Sequence, residues 1–263
     1  MKLFLKKIFN FLKINIHRLF FAEITWSKKE YKNWDQALKV SKGYNDKAIV
    51  EKVYESASQV INGRASFERD GAIFKKKDYS YEILCSFLYY LSYTKNLKVA
   101  DIGGSFGSMY FQYKEILDKN TESLKWEIFE QENFVQIGNE KFATQNLKFT
   151  EVKNLKDNDK YDISIFGSVL NYLKNYGEIF EKFCKKSNCI IVDRTSFTEQ
   201  NIIKIQNIKK FPYTSSYPHM TFSKEELEKI LIKNNFKIIF EWPSISIMSA
   251  PFKFEGFMAL KND

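Results

Sequence analysis

The sequence predicts an α/β domain built on a parallel, doubly wound sheet. Three observations carry this prediction. From residue 97 onward, short apolar runs alternate with amphipathic stretches long enough for helices. The first run, Leu97–Ile102, ends in a glycine turn, Gly103-Gly104-Ser105-Phe106-Gly107, directly ahead of the helical pattern Ser108–Leu117. Acids stand at the ends of the first two runs, Asp101 and Glu130. Strands that alternate with helices need crossover connections, which make neighbours parallel and place helices on both faces of the sheet.

The elements follow in order. Residues 1–21 are apolar runs broken everywhere by lysine, unlike the uninterrupted core of a signal peptide. No run in the chain reaches the ~18 residues needed to span a bilayer. Lys2, Lys6, Asn10, Lys13 and His17 recur at helical spacing, so the segment predicts a basic amphipathic helix. Such a helix can lie on an anionic membrane surface or pack on the main domain with its lysines in water. The expected location is cytoplasmic, with peripheral contact at the inner membrane as an option. Residues 22–95 read as a helical cap: Lys29–Lys39 and Asp46–Ile61 form two helices separated by Ser41-Lys42-Gly43-Tyr44-Asn45, and Ser80–Tyr93 forms a third, rich in core aromatics.

Residues 96–263 hold the sheet. After Leu97–Ile102 come strands at Trp126–Glu130, Leu147–Val152, Tyr161–Phe166, Cys189–Asp193, Lys237–Glu241 and Gly256–Leu260, seven in all. A helix starts near Tyr176, and another covers Ser223–Asn234, opened by the capping box Ser223-Lys224-Glu225-Glu226. There is no internal repeat and no linker marking a second catalytic domain.

Composition narrows the function. The 263 residues are 44% hydrophobic and 28% charged, the balance of a globular protein. The net charge is +9, but Lys2, Lys6, Lys7, Lys13 and Arg18 place +5 in the first 20 residues and leave +4 for the rest. A mildly basic body lacks the concentrated basic face that nucleic-acid binding needs. Cys85, Cys184 and Cys189 form no CxxC pair, which predicts reduced thiols and no zinc site. No metal is expected, although a divalent ion near Asp193 stays open.

The glycine turn decides the ligand class. In an open α/β sheet, the first strand–helix turn meets ligand at the carboxyl edge. A dinucleotide fingerprint starting at Gly103 would need glycine where Ser105 and Ser108 stand, and a P-loop would need Gly-Lys-Ser/Thr, which is absent. The pattern is acid-x-Gly-Gly-x-x-Gly. Asp101 would repel a phosphate but favour a sulfonium and an ammonium, which points to S-adenosylmethionine as cofactor and S-adenosylhomocysteine as product. Glu130, 23 residues after Gly107, can accept hydrogen bonds from both ribose hydroxyls.

These motifs resemble a bacterial family of S-adenosylmethionine methyltransferases (the LIC12133 type), often encoded among surface-polysaccharide genes. The resemblance spans roughly residues 26–260. It rests on Ser41-Lys42-Gly43-Tyr44, on Val99 to Gln112 through the glycine turn, on Trp126-Glu127-Ile128-Phe129-Glu130-Gln131, on Gly167-Ser168-Val169-Leu170-Asn171-Tyr172-Leu173, on Val192-Asp193-Arg194-Thr195 and on Ser216-Tyr217-Pro218. It implies the class I methyltransferase fold, Rossmann-like with seven strands and a last antiparallel hairpin. It also implies cofactor contacts at Asp101, Gly103, Gly107 and Glu130, with Gln131 nearby. Asn171 departs from the glutamine expected at that place.

The remaining candidates follow from chemistry. Methyl transfer to a hydroxyl is helped by a general base. His219, read as lying in a loop that reaches the carboxyl edge, is the candidate base, and Asp193 could orient it or bind acceptor hydroxyls. Arg194 could hold a phosphate or carboxylate. Gly104 belongs to the cofactor turn. Ser168 and Asn171 follow the fourth strand and could contact cofactor or acceptor, or cap the next helix. Tyr217, like Tyr213, could stack on a sugar or base. The leading expectation is an O-methyltransferase acting on a small molecule or glycan, such as a nucleotide-activated sugar. The alternatives are an RNA or protein methyltransferase, for which Phe166-Gly167-Ser168-Val169 lacks the expected amine-binding turn, and an inactive cofactor-binding scaffold at the membrane.

Overall fold

A computed structural model describes residues 23–43, 47–69, 71–210, 213–244 and 251–262, so the basic segment 1–21 and its predicted membrane contact lie outside the described residues. The chain enters through β1 (Glu23–Trp26), α1 (Trp34–Leu38) and α2 (Lys47–Ile61). A hairpin, β2 (Phe67–Arg69) and β3 (Ala72–Phe74), and then α3 (Tyr81–Tyr90) complete the amino-terminal part. Residues 22–95 are therefore not wholly helical. Their short strands escape a reading by periodicity because three or four residues per strand cannot establish an alternation.

The sheet domain runs β4 (Asn96–Ile102), α4 (Ser108–Asn120), β5 (Ser123–Phe129), α5 (Glu132–Lys141), β6 (Leu147–Thr150), β7 (Tyr161–Gly167), α6 (Tyr176–Cys184) and β8 (Ser187–Ser196). It continues with β9 (Ile202–Lys210), β10 (Tyr213–Thr221), α7 (Lys224–Lys233), β11 (Phe236–Pro243) and β12 (Phe254–Lys261). The seven-stranded order is β11-β12-β8-β7-β4-β5-β6. Pairings are parallel from β8 to β6, and β12 is antiparallel to both β8 and β11. Central strands such as β4 and β8 are buried over most of their length, as expected where helices cover both faces.

Each face has its own core. Phe87, Tyr110, Tyr113 and Leu117 of α3 and α4 pack on one face around Trp126. Phe180, Phe183, Leu227 and Leu231 of α6 and α7 pack on the other around Phe129 and Phe166. Ser223 caps α7 as expected, accepting from the Glu225 N–H at 3.2 Å. Glu226 does not close the box; it accepts a hydrogen bond from the Tyr176 hydroxyl and ties α7 to α6.

One feature was invisible as a pattern. Residues 202–221 form the hairpin β9–β10, and β1 joins its edge to make a separate three-stranded antiparallel sheet. This small sheet covers the carboxyl edge of the large one. The large sheet reverses direction of winding at β4, which pairs with β5 on one side and β7 on the other. That switch point opens the crevice in which ligands bind in doubly wound folds.

Candidate active site

The turn after β4 is shaped by close contacts. Gly103 has φ +72°, and a Cβ there would lie 2.5 Å from Val169. A Cβ on Gly104 would lie 2.4 Å from Asp101 Oδ2, so only glycine lets the turn close over that carboxylate. Gly107, with φ +96°, is the N-cap of α4 and supplies no side chain to its first turn. The Gly103 N–H donates to the Phe129 carbonyl at 2.9 Å, pinning the turn to β5.

Asp101 is 1% exposed and accepts from Trp126 Nε1 at 3.1 Å. Burial pushes its pKa up to about 7; the Trp126 bond opposes this, the Glu130 charge adds to it and Arg194 subtracts. Glu130, just beyond β5, accepts from the Ser105 N–H at 3.2 Å and the Gln131 N–H at 3.0 Å. Burial also pushes Glu130 up to about 7, against those two bonds. The two acids therefore sit on one wall, each poised to gain or lose a proton near neutrality.

That wall bounds a cavity of about 570 Å³. Asp101, Gly103, Gly104, Ser105, Glu130 and Gln131 line it, together with Gly167, Ser168, Tyr172, Arg194 and Tyr217. Ile49 and Val53 of α2, with Ile208 and Ser215 of the small sheet, contribute apolar and polar cover. Of the residues predicted for cofactor or acceptor, Asp101, Gly103, Gly104, Glu130, Gln131, Ser168, Arg194 and Tyr217 thus converge, while Gly107 acts one step back as the cap of α4.

Besides Gly107, three predicted residues do not line this space. His219 lies on β10, not in a loop, and is 0% exposed. Its ring is enclosed by Trp26, Tyr172 and Phe252, at 4.7, 5.1 and 5.5 Å between centroids. Burial holds its pKa down to about 3, so it stays neutral and is sealed from the cavity, a placement that corrects the expected base role. Asp193 also turns away: its Oδ1 accepts from Trp242 Nε1 at 3.0 Å and Ser244 Oγ at 2.6 Å. Asn171 is consumed by the backbone, donating to the Ser196 and Met220 carbonyls at 3.0 and 2.8 Å and accepting from the Ser196 N–H at 2.8 Å.

The structure adds residues that pattern reading missed. Arg69 comes from the β2–β3 hairpin, and Gln206 and Ser215 come from the small sheet. None of these carries a local signal, because only the packing of their hairpins against the large sheet brings them here. Ser105 was legible inside the turn but was passed over; its Oγ and that of Ser215 are buried with no hydrogen-bond partner. Buried hydroxyls without partners are what a polar ligand would satisfy. The paired acids, the glycine cradle and the Ser105 hydroxyl fit a cationic, ribose-bearing ligand. Among the described residues, no group of three or more His, Cys, Asp or Glu is placed to hold a metal ion.

No protein-family profile matches the chain, and no curated protein sequence matches it significantly. Solved structures do. An S-adenosylmethionine-dependent methyltransferase from Clostridium acetobutylicum ATCC 824 aligns with 81% of this chain and 99% of its own, at 10% identity and a TM-score of 0.54. CalS10, an amino pentose methyltransferase from Micromonospora echinaspora, covers 80% of this chain and 97% of its own at 9% identity and a TM-score of 0.48. DesVI of Streptomyces venezuelae covers 80% and 98%, at 10% identity and a TM-score of 0.47. The first of these likenesses, with the strand order above, defines the fold: a Rossmann-like class I methyltransferase fold.

Proposed function

We propose that the chain is an S-adenosylmethionine-dependent methyltransferase acting on an oxygen of a small-molecule or glycan acceptor. One observation carries the cofactor reading: Asp101 and Glu130 meet the Gly103–Gly107 turn on one wall of the switch-point cavity. In this reading the bound cofactor supplies a methyl group made electrophilic by a positively charged sulfur. Asp101, beneath Gly103 and Gly104, favours the cationic part of that ligand. Glu130 faces its ribose, Gln131 and Ser168 flank it, and Gly107 positions α4. The small sheet and α2 exclude water from the same space.

The acceptor side comprises Arg194, Tyr217, Tyr172 and Ser215. A sugar acceptor is supported by the resemblance to the polysaccharide-associated family. Calorimetry with S-adenosylhomocysteine and with NAD tests the cofactor; heat with the first and none with the second is expected, and the reverse would end the reading. Transfer of labelled methyl into a panel of nucleotide sugars tests the acceptor. Residues 1–21 remain a proposed peripheral membrane contact, and among the described residues no helix is long and apolar enough to cross a membrane. Liposome co-sedimentation of the full chain and of a chain lacking residues 1–21 tests that contact; equal sedimentation removes it.

A further inference from the structure

We infer that the acceptor carries an anionic group, a carboxylate or a phosphate, lodged between Arg69 and Arg194 where the main cavity meets a second one. This rests on the proposal that the main cavity holds both cofactor and acceptor. The second cavity has a volume of about 240 Å³ and shares Arg69, Ser108, Met109 and Arg194 with the first. Both arginines therefore stand at the junction, reached from β2 on one side and from the end of β8 on the other.

The Arg194 side chain is aimed by its surroundings. Its backbone is held in the left-handed region at φ +50°, and its N–H donates to Ser244 Oγ at 3.2 Å. Arg194 Nε lies 3.4 Å from Asp193 Oδ2, while the other oxygen of Asp193 is fixed by Trp242 and Ser244. Asp193 thus positions the guanidinium from behind. The terminal nitrogens donate no hydrogen bond among the described residues, and Nη2 lies 3.8 Å from where a Cβ of Gly167 would be. A fork of donors beside the carboxyl end of β7 is the geometry that accepts a planar carboxylate or a phosphate in bidentate fashion. Arg69 is steadied by Asp78 at 3.6 Å and by the Phe67 ring at 5.2 Å.

The lining of the main cavity carries acids at Asp101, Glu130 and Glu151 and cations at Arg69, Lys153 and Arg194.

Binding of phenyl phosphate, benzoate and neutral benzyl alcohol, with and without saturating S-adenosylhomocysteine, tests the inference. At least one anionic probe is expected to bind about tenfold more tightly than benzyl alcohol. The stronger of the two identifies phosphate or carboxylate. That preference is expected to fall to about threefold or less in Arg194→Gln and to weaken in Arg69→Gln, with affinity for S-adenosylhomocysteine falling by much less than affinity for the anion. In the unaltered protein, the preferred anion is expected to protect Arg194 from phenylglyoxal, a readout independent of variant folding. No anion preference, no protection, or an equal loss of S-adenosylhomocysteine affinity in Arg194→Gln would overturn the inference. A chain that ignores S-adenosylhomocysteine but still prefers the anion would refute the cofactor reading and leave the arginine site standing.

Discussion

The Trp126 indole donates to Asp101 Oδ2 across 3.1 Å beneath the glycine turn, and both side chains are almost fully buried. A carboxylate in that position costs stability when ionised. Its folded pKa, about 7, lies above its ordinary value of 3.8. The folded state therefore holds the proton more tightly, and stability falls as pH rises through that window, with the full cost present above it. Asp101→Asn is expected to stabilise the ligand-free protein at pH 8, by up to about 4 kcal/mol, and much less at pH 5. The same variant is expected to lose about tenfold or more in affinity for S-adenosylhomocysteine. Thermal denaturation at both pH values and calorimetry at pH 8 measure the two effects; a lower Tm at pH 8 would contradict the first.

A second consequence concerns protons released on binding. Asp101 and Glu130 both titrate near 7 in the folded protein. A cationic ligand favours their ionised forms, so affinity for S-adenosylmethionine is expected to fall from pH 8 to pH 6, with proton release near pH 7. Calorimetry in buffers of different ionisation enthalpy reads that release. Glu130→Gln is expected to reduce it and to weaken binding about tenfold.

Gly104→Ala probes the closeness of turn and carboxylate. The added Cβ would lie 2.4 Å from Asp101 Oδ2, so the turn or the acid must shift. A loss of roughly 1–3 kcal/mol in stability is expected, together with weaker cofactor binding. Gly177→Ala is the control, because its Cβ would meet only Ile230 at 3.8 Å, an ordinary contact.

His219→Phe separates packing from catalysis. The His219 pKa is held at about 3, below its ordinary 6.5, so the unfolded chain takes up the proton first and stability is lost as pH falls from 6.5 toward 3. The variant is expected to flatten that acid limb, whose slope from one histidine is at most about 1.4 kcal/mol per pH unit. Methyl transfer and cofactor affinity are expected to persist. Lost turnover in a folded variant would restore the base role.

Asn171→Ala removes three backbone hydrogen bonds that join the segment after β7 to β8 and β10. A cost of about 2–4 kcal/mol is expected, because the freed Ser196 and Met220 groups stay buried. Denaturant unfolding measures it. The acceptor KM is expected to stay constant, since the amide faces backbone and not the cavity.

The amino-acid order alone determined the seven strands, their alternation with helices and the acid-flanked turn, because each is written in local periodicity or in residues a few places apart. Asp101, Gly103, Gly104 and Glu130 were legible for that reason. Only the tertiary structure decided which side chains face the cavity from outside the large sheet. Arg69, Gln206 and Ser215 reach it because the β2–β3 hairpin and the β1-β9-β10 sheet pack against the large sheet, and that packing leaves no mark in a short window of sequence. Pairing of β10 with β9 makes His219 a strand residue, and pairing of β1 with β9 brings Trp26 against it in a buried aromatic cluster. Burial is a property of the assembled chain, and it is burial, not residue type, that sets whether a histidine can carry a proton.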